Sequence, residues 1–180
     1  MSQRDSGYER KERDLYETPE WVTRALFRHL PFVNGRMIWE PACGSGRMVE
    51  ALKQLTDVYA SDIELGSDFL ESRNLPCDIH GIVTNPPFDL ATEFIEHALR
   101  LTEPKLGFVA MLLRTDFYHA KSRTHLFRDC PAFAKKVVLL KRIVWFVEDN
   151  GKPKASPSYN HSWYVWDHKH AGPPTIAYGP

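Results

Sequence analysis

The sequence has no apolar run approaching the ~20 residues of a membrane-spanning helix, so no helical span is expected. Its first 14 residues are polar and of mixed charge, without the apolar stretch of a secretory leader, and the chain is expected to stay in the cytoplasm. Cysteine is scarce. Cys43, Cys77 and Cys130 have neither the spacing of a zinc site nor that of a disulfide framework, and reduced thiols are expected. The eight histidines show no metal-ligand spacing; no metal is expected, and His161, His168 and His170 read as surface residues. A charge excess of one sign is also missing. Lys and Arg number 23, as do Asp and Glu, which excludes a broadly basic coat for indiscriminate nucleic-acid binding but leaves room for a local patch. There is no internal repeat and no long low-complexity segment.

What is present fits one globular unit: 180 residues, 43% of them hydrophobic. Residues 1–14 read as a flexible tail, 15–167 as a single domain and 168–180 as a C-terminal tail. Thr18, Pro19 and Glu20 suit the N-cap, first position and first turn of a helix whose apolar face is Trp21, Val22, Ala25 and Leu26. Pro31 and Asn34-Gly35 end it. A strand is predicted over 36–40, a glycine turn over 41–46, an amphipathic helix over 47–55 and a second strand over 57–62. Strand, turn, helix and strand in this order make a βαβ unit with parallel strands. Residues 66–71 read as a short strand or a turn. A strand over 80–84 leads to a helix that Asp89 can cap, with Leu90, Ala91, Phe94, Ile95, Ala98 and Leu101 inward. The nearly continuous apolar run 105–113 is a central strand covered on both faces. A weaker helix over 119–130, a strand over 136–146, a polar loop over 147–161 and a last strand over 162–167 follow. The expected fold is α/β: an open twisted sheet, mostly parallel with an antiparallel last strand, and helices on both faces.

Two constellations carry chemistry. Glu40-Pro41-Ala42-Cys43-Gly44-Ser45-Gly46 leaves the first strand, and Asp62 closes the second. Small residues after a strand let a ligand approach the backbone, and a carboxylate on the neighbouring strand can accept from ribose hydroxyls. Gly44 and Asp62 lie 18 residues apart, close to the ~20 of dinucleotide-binding turns. Val49 stands where the third glycine of such turns would be, which favours a nucleoside without pyrophosphate. The leading carboxylate, Glu40, suits a positively charged or amino-bearing ligand such as S-adenosylmethionine.

The second constellation is Thr84-Asn85-Pro86-Pro87-Phe88-Asp89, where a buried strand breaks into a loop. An exocyclic amine on a flat ring is a poor nucleophile because its lone pair is delocalised. If Asn85 Oδ1 and the Pro86 carbonyl each accept one of its N–H groups, the nitrogen is drawn towards a tetrahedral shape and can attack a methyl donor in line. Its surplus proton leaves afterwards, so the task is positioning and electrostatics rather than base catalysis. Pro86 and Pro87 fix the loop, and Phe88 offers a stacking face worth ~1–3 kcal/mol.

Together these motifs resemble the S-adenosylmethionine-dependent amino-methyltransferases of Rossmann-like fold. The closest resemblance is to the DNA adenine-N6 group whose cofactor motifs precede N-P-P-[FY]. It covers roughly residues 16–113. It implies that Tyr16, Thr18 and Pro19 close over the methionine end of the cofactor. Glu40, Pro41, Ala42, Cys43, Gly44, Gly46, Asp62 and Ile63 would hold its remainder, Asp68 would receive its adenine amine and Phe69 would pack on the ring. Asn85, Pro86, Pro87 and Phe88 would be catalytic, Asn85 also touching cofactor, and the partner would be nucleic acid, namely DNA.

Two departures stand out. Asp62 and Asp68 are six residues apart where the family fits a helix, so the sheet is expected to be trimmed at its third-strand edge. No separate target-reading domain is expected, which would leave specificity to the tail, the loops or a partner. The same motif serves adenine in RNA or a protein glutamine amide, and these remain alternatives. A non-catalytic partner subunit is a further one, disfavoured because such a subunit has no need of an intact Asn85-Pro86-Pro87-Phe88. Among smaller features, Arg114 to Tyr118 lies at the ligand-binding edge, and the loop 150–161 combines cationic and aromatic residues that could cover a nucleic acid. Lys121, Arg123, His125 and Arg128 read as a solvated face, Lys135, Lys136, Lys141 and Arg142 as strand ends and surface, and Trp163 and Trp166 as packing residues.

Overall fold

The computed structural model describes residues 16–30, 35–76, 78–145 and 159–179. Its strands are β1 (Met37–Glu40), β2 (Val58–Ala60), β3 (Ile79–Thr84), β4 (Phe108–Arg114), β5 (Phe133–Leu139), β6 (His161–Asp167) and β7 (Thr175–Gly179). They form one sheet in the order β2-β1-β3-β4-β6-β5-β7. Among the described residues only β6 is reversed: it pairs antiparallel with β4 and β5, whereas the other pairings are parallel. The helices are α1 (Glu20–Phe27), α2 (Arg47–Leu52) and α3 (Ala91–Thr102).

β4 shows why the sheet is covered on both faces. Phe108, Ala110 and Leu112 enter one core with Val22 and Leu26 of α1 and Met48 and Leu52 of α2. The alternating Val109, Met111 and Leu113 enter the other with Phe94, Ile95 and Ala98 of α3. Trp163 and Trp166 of β6 divide between these cores, both fully buried, as their packing reading required. The fold is thus the expected mostly parallel α/β sheet. Among the described residues it ends on one side at β2, because 63–71 supply two 3-10 turns, Ile63–Leu65 and Phe69–Glu71, and no strand.

Several expectations need correction. The stretch beyond 167 holds a strand, β7, which extends the sheet beside β5. Its Thr-Ile-Ala-Tyr run is β-branched and aromatic, the composition of a pleated edge. The helix expected over 119–130 is a 3-10 turn, Lys121–Leu126; its apolar anchors Leu126 and Phe127 are adjacent and make no helical stripe. α1 starts one residue late, with Pro19 rather than Thr18 at the N-cap. The turn Phe88–Leu90 precedes α3, whose N-cap position is Leu90 rather than Asp89. Lys136 is buried, not superficial: its ammonium donates to the Thr115 carbonyl (3.0 Å) and lies 3.9 Å from the Tyr118 ring centre. The tail 1–14, Pro31, Asn34, Cys77, Phe146 and the loop stretch 147–158 fall outside the described residues.

Candidate functional site

The strands β1, β3 and β4 deliver their C-terminal ends to one edge, and β6 begins there because it runs the opposite way. After β1 the chain must turn sharply, and Gly44 (φ 49°) and Gly46 (φ 85°) take left-handed conformations that suit glycine. The turn is tied down from both sides. Gly44 N–H donates to Asp62 Oδ2 (2.8 Å) and Cys43 N–H to the Ser61 carbonyl (3.1 Å). Asp62 is 7% exposed, and its other oxygen accepts from Glu64 N–H (2.9 Å). Two backbone donors therefore fix its carboxylate. Burial, and then Asp62, raises the pKa of the Cys43 thiol above its ordinary value.

Glu40 ends β1 and is 1% exposed. Oε1 accepts from Ala42 N–H (3.1 Å), while Oε2 is buried with no hydrogen-bond partner among the described residues. Burial pushes its pKa up to about 8, against the Thr84 hydroxyl and Ala42 N–H, which favour the ionised form, and with help from Asp62. The Thr84 oxygen faces the carboxyl without reaching full hydrogen-bond geometry and is itself unpartnered.

β3 then breaks at Asn85. Its Nδ2 donates to the Tyr16 carbonyl (3.2 Å), and its Oδ1 is buried without a partner among the described residues. Pro86 is buried, and the Pro87 carbonyl accepts from Leu90 N–H (3.1 Å), which braces the loop against the turn ahead of α3. The Phe88 ring lies 5.1 Å from Tyr16 and 6.3 Å from His161.

The structure brings most of the expected residues to this edge. Thr18 is buried just ahead of α1 and Pro19 caps that helix. Ile63, beside Asp62, is 62% exposed, an apolar side chain open to a ligand. Asp68 is exposed and caps the turn Phe69–Glu71 through Leu70 N–H (2.9 Å). Phe69 stands apart. It is 2% exposed, with its ring enclosed by Trp39 (5.1 Å), Phe94 (4.8 Å) and His97 (4.8 Å), so it is core rather than an open stacking face.

Two residues of this edge escaped the sequence reading. His161 is 3% exposed rather than superficial. Its Nδ1 has no partner among the described residues, and burial, then the nearby Arg114, lowers its pKa to about 4. Trp145 stands edge-on to His161 (5.2 Å) and to Tyr16 (5.4 Å). Only an aromatic residue beside the loop signalled either. Arg114, at the end of β4, holds Asp116 through two hydrogen bonds (3.1 and 2.8 Å) and lies over the Tyr159 ring (4.0 Å). Among the described residues no group of three or more His, Cys, Asp or Glu side chains could hold a metal, and no helix is long and apolar enough to cross a membrane.

No protein-family model and no curated protein matches the sequence. Solved structures share the fold. A Listeria monocytogenes protein assigned to the class I S-adenosylmethionine-dependent methyltransferases aligns with a TM-score of 0.61 at 17% identity, covering 89% of this chain and 64% of its own. The methyltransferase subunit of a type I restriction-modification system from Streptococcus thermophilus aligns at 0.63 and 12% identity, over 87% and 45%. A dimethyladenosine transferase from Plasmodium falciparum aligns at 0.57 and 13% identity, over 85% and 62%. The chain thus spans less than two thirds of the length of each of these proteins.

Proposed function

We propose that this chain transfers a methyl group from S-adenosylmethionine to an exocyclic amine, adenine N6 in DNA. The carrying observation is the Asn85 carboxamide, whose nitrogen is spent on Tyr16 and whose oxygen is buried with no partner among the described residues. A buried acceptor left open costs ~1–3 kcal/mol, a cost that a bound N–H donor removes.

The residues at the neighbouring turn fit the cofactor. Glu40 Oε2 is a second buried oxygen left without a partner among the described residues beside a glycine turn, Asp62 is a fixed carboxylate just beyond β2 that could take ribose hydroxyls, and Ile63 is an exposed apolar face. Glu40, the turn 41–46, Asp62, Ile63 and Asp68 would hold the cofactor, with Tyr16, Thr18 and Pro19 beside its methionine end. Phe69 would support Asp68 from the core rather than stack on adenine. When bound, S-adenosylmethionine supplies an electrophilic methyl group on a sulfonium.

The chain's own residues do the rest. Asn85 Oδ1 and the Pro86 carbonyl accept the two N–H groups of the target amine and localise its lone pair. Phe88 stacks on the base, and the rigid prolines hold the nitrogen in line. The amine's surplus proton passes to solvent after transfer. A base within a duplex would first have to swing out of the stack. The DNA assignment draws on the likeness to a restriction-modification methyltransferase subunit.

Incubation of the chain with labelled S-adenosylmethionine and, in parallel, duplex DNA, structured RNA and a protein extract tests this. The expected product is N6-methyldeoxyadenosine in the DNA digest. Label confined to RNA adenine or to protein glutamine would overturn the DNA assignment, and no label in any fraction would overturn the transfer itself.

A further inference from the structure

Asn85 carries a donor and an acceptor on one planar group, and rotation by half a turn exchanges them. A backbone carbonyl accepts and never donates. The 3.2 Å contact with the Tyr16 carbonyl therefore decides which end of the amide faces the site. Tyr16 itself lies ahead of α1, outside any helix or strand. Ring contacts hold it: Phe88 at 5.1 Å and Trp145, edge-on, at 5.4 Å. Trp145 stands edge-on to His161 at 5.2 Å, and His161 lies 6.3 Å from Phe88. Four rings from four separate stretches of chain thus close a circuit, and one of them, Phe88, belongs to the loop that carries Asn85.

Drawing on the methyl-transfer reading for its consequence but not for its geometry, we propose that Tyr16 is a positioning residue. Its ring, braced by Phe88 and Trp145, anchors the segment whose carbonyl fixes the Asn85 flip and so presents Oδ1 to the amine. With Tyr16 undocked, Asn85 is free to turn Nδ2 into the site, where two donors would face one another and the amine would go unheld. The circuit makes the catalytic geometry depend on a segment that precedes the first helix.

The test uses Tyr16→Ala and Tyr16→Phe in the 180-residue chain, with Trp145→Ala reading the same contact should the first variant fold poorly. The Asn85 side-chain amide is followed by NMR without substrate. It exchanges slowly in the wild type and in Tyr16→Phe, and loses that protection in Tyr16→Ala and Trp145→Ala. In turnover, Tyr16→Ala and Trp145→Ala lose about 100-fold in kcat, with KM for the acceptor changed by less than about threefold. Full amide protection in both disrupted variants would overturn the proposal. So would a loss seen only as a raised KM for cofactor, since Tyr16 would then act on the cofactor alone. Should wild-type protein transfer no methyl group while the amide signals behave as described, the positioning role stands and the methyl-transfer reading falls.

Discussion

On either side of β4 the sheet buries polar side chains in opposite ways. In β6 each large one has a partner. Trp163 Nε1 donates to the Val22 carbonyl (2.8 Å), Trp166 Nε1 to the Leu126 carbonyl (2.6 Å), and the Tyr164 hydroxyl to the Thr115 carbonyl (2.8 Å). At the ends of β1 and β3, Glu40 Oε2, Thr84 Oγ1 and Asn85 Oδ1 have none among the described residues. Both regions pay desolvation, but only the first recovers it within the chain. The first region is built for stability. The second leaves buried polar atoms open at the C-terminal edge of the parallel strands, and the first residue of β6, His161, belongs to it through its own open Nδ1.

Opposite signs of mutational effect follow, the larger in β6. Trp166→Phe loses a buried hydrogen bond and leaves a cavity, and chemical denaturation should show destabilisation of ~2–3 kcal/mol. A neutral result would mean that β6 is no better satisfied than the site. Glu40→Gln should do the reverse in ligand-free protein. Burial raises the folded Glu40 carboxyl to about 8, far above the ordinary carboxylate value of about 4.5. The folded state therefore holds this proton more tightly between those values. The stability it contributes is complete below about pH 4.5 and is lost as the pH rises through about 8. Glutamine has no proton to lose, so Glu40→Gln should unfold less readily than wild type at pH 9, by ~1–3 kcal/mol, while binding S-adenosylmethionine more weakly. Melting curves from pH 5 to 9 check the first part and calorimetric titration the second. Loss of stability in the variant at pH 9 would place Glu40 with the satisfied polar groups of β6.

The elements that the sequence revealed are those set by neighbours along the chain. The βαβ unit, the glycine turn with Asp62 and the strand break at Asn85 all lie within short stretches, where periodicity and turn chemistry suffice. The short 62–68 connection correctly foretold a sheet ending at β2. What stayed hidden depends on pairing across the sheet. His161 is buried because β6 runs antiparallel to β4 and sets it opposite Arg114. Lys136 is buried because β5 lies against β6 and its ammonium can reach past Tyr164 to Thr115. Phe69 looked like a ligand-facing ring from its motif position, yet three rings from other elements enclose it. The strand nature of 175–179 was present in its composition, but its place beside β5 was not.

The open Oδ1 of Asn85 is the centre of the account, and Asn85→Ala tests it most directly. Methyl transfer to duplex DNA and S-adenosylmethionine affinity are measured side by side on wild type and variant. Transfer should fall at least about 100-fold, with affinity held within about threefold. Retention of wild-type turnover by Asn85→Ala would contradict the assignment of this oxygen as the acceptor that holds the target amine.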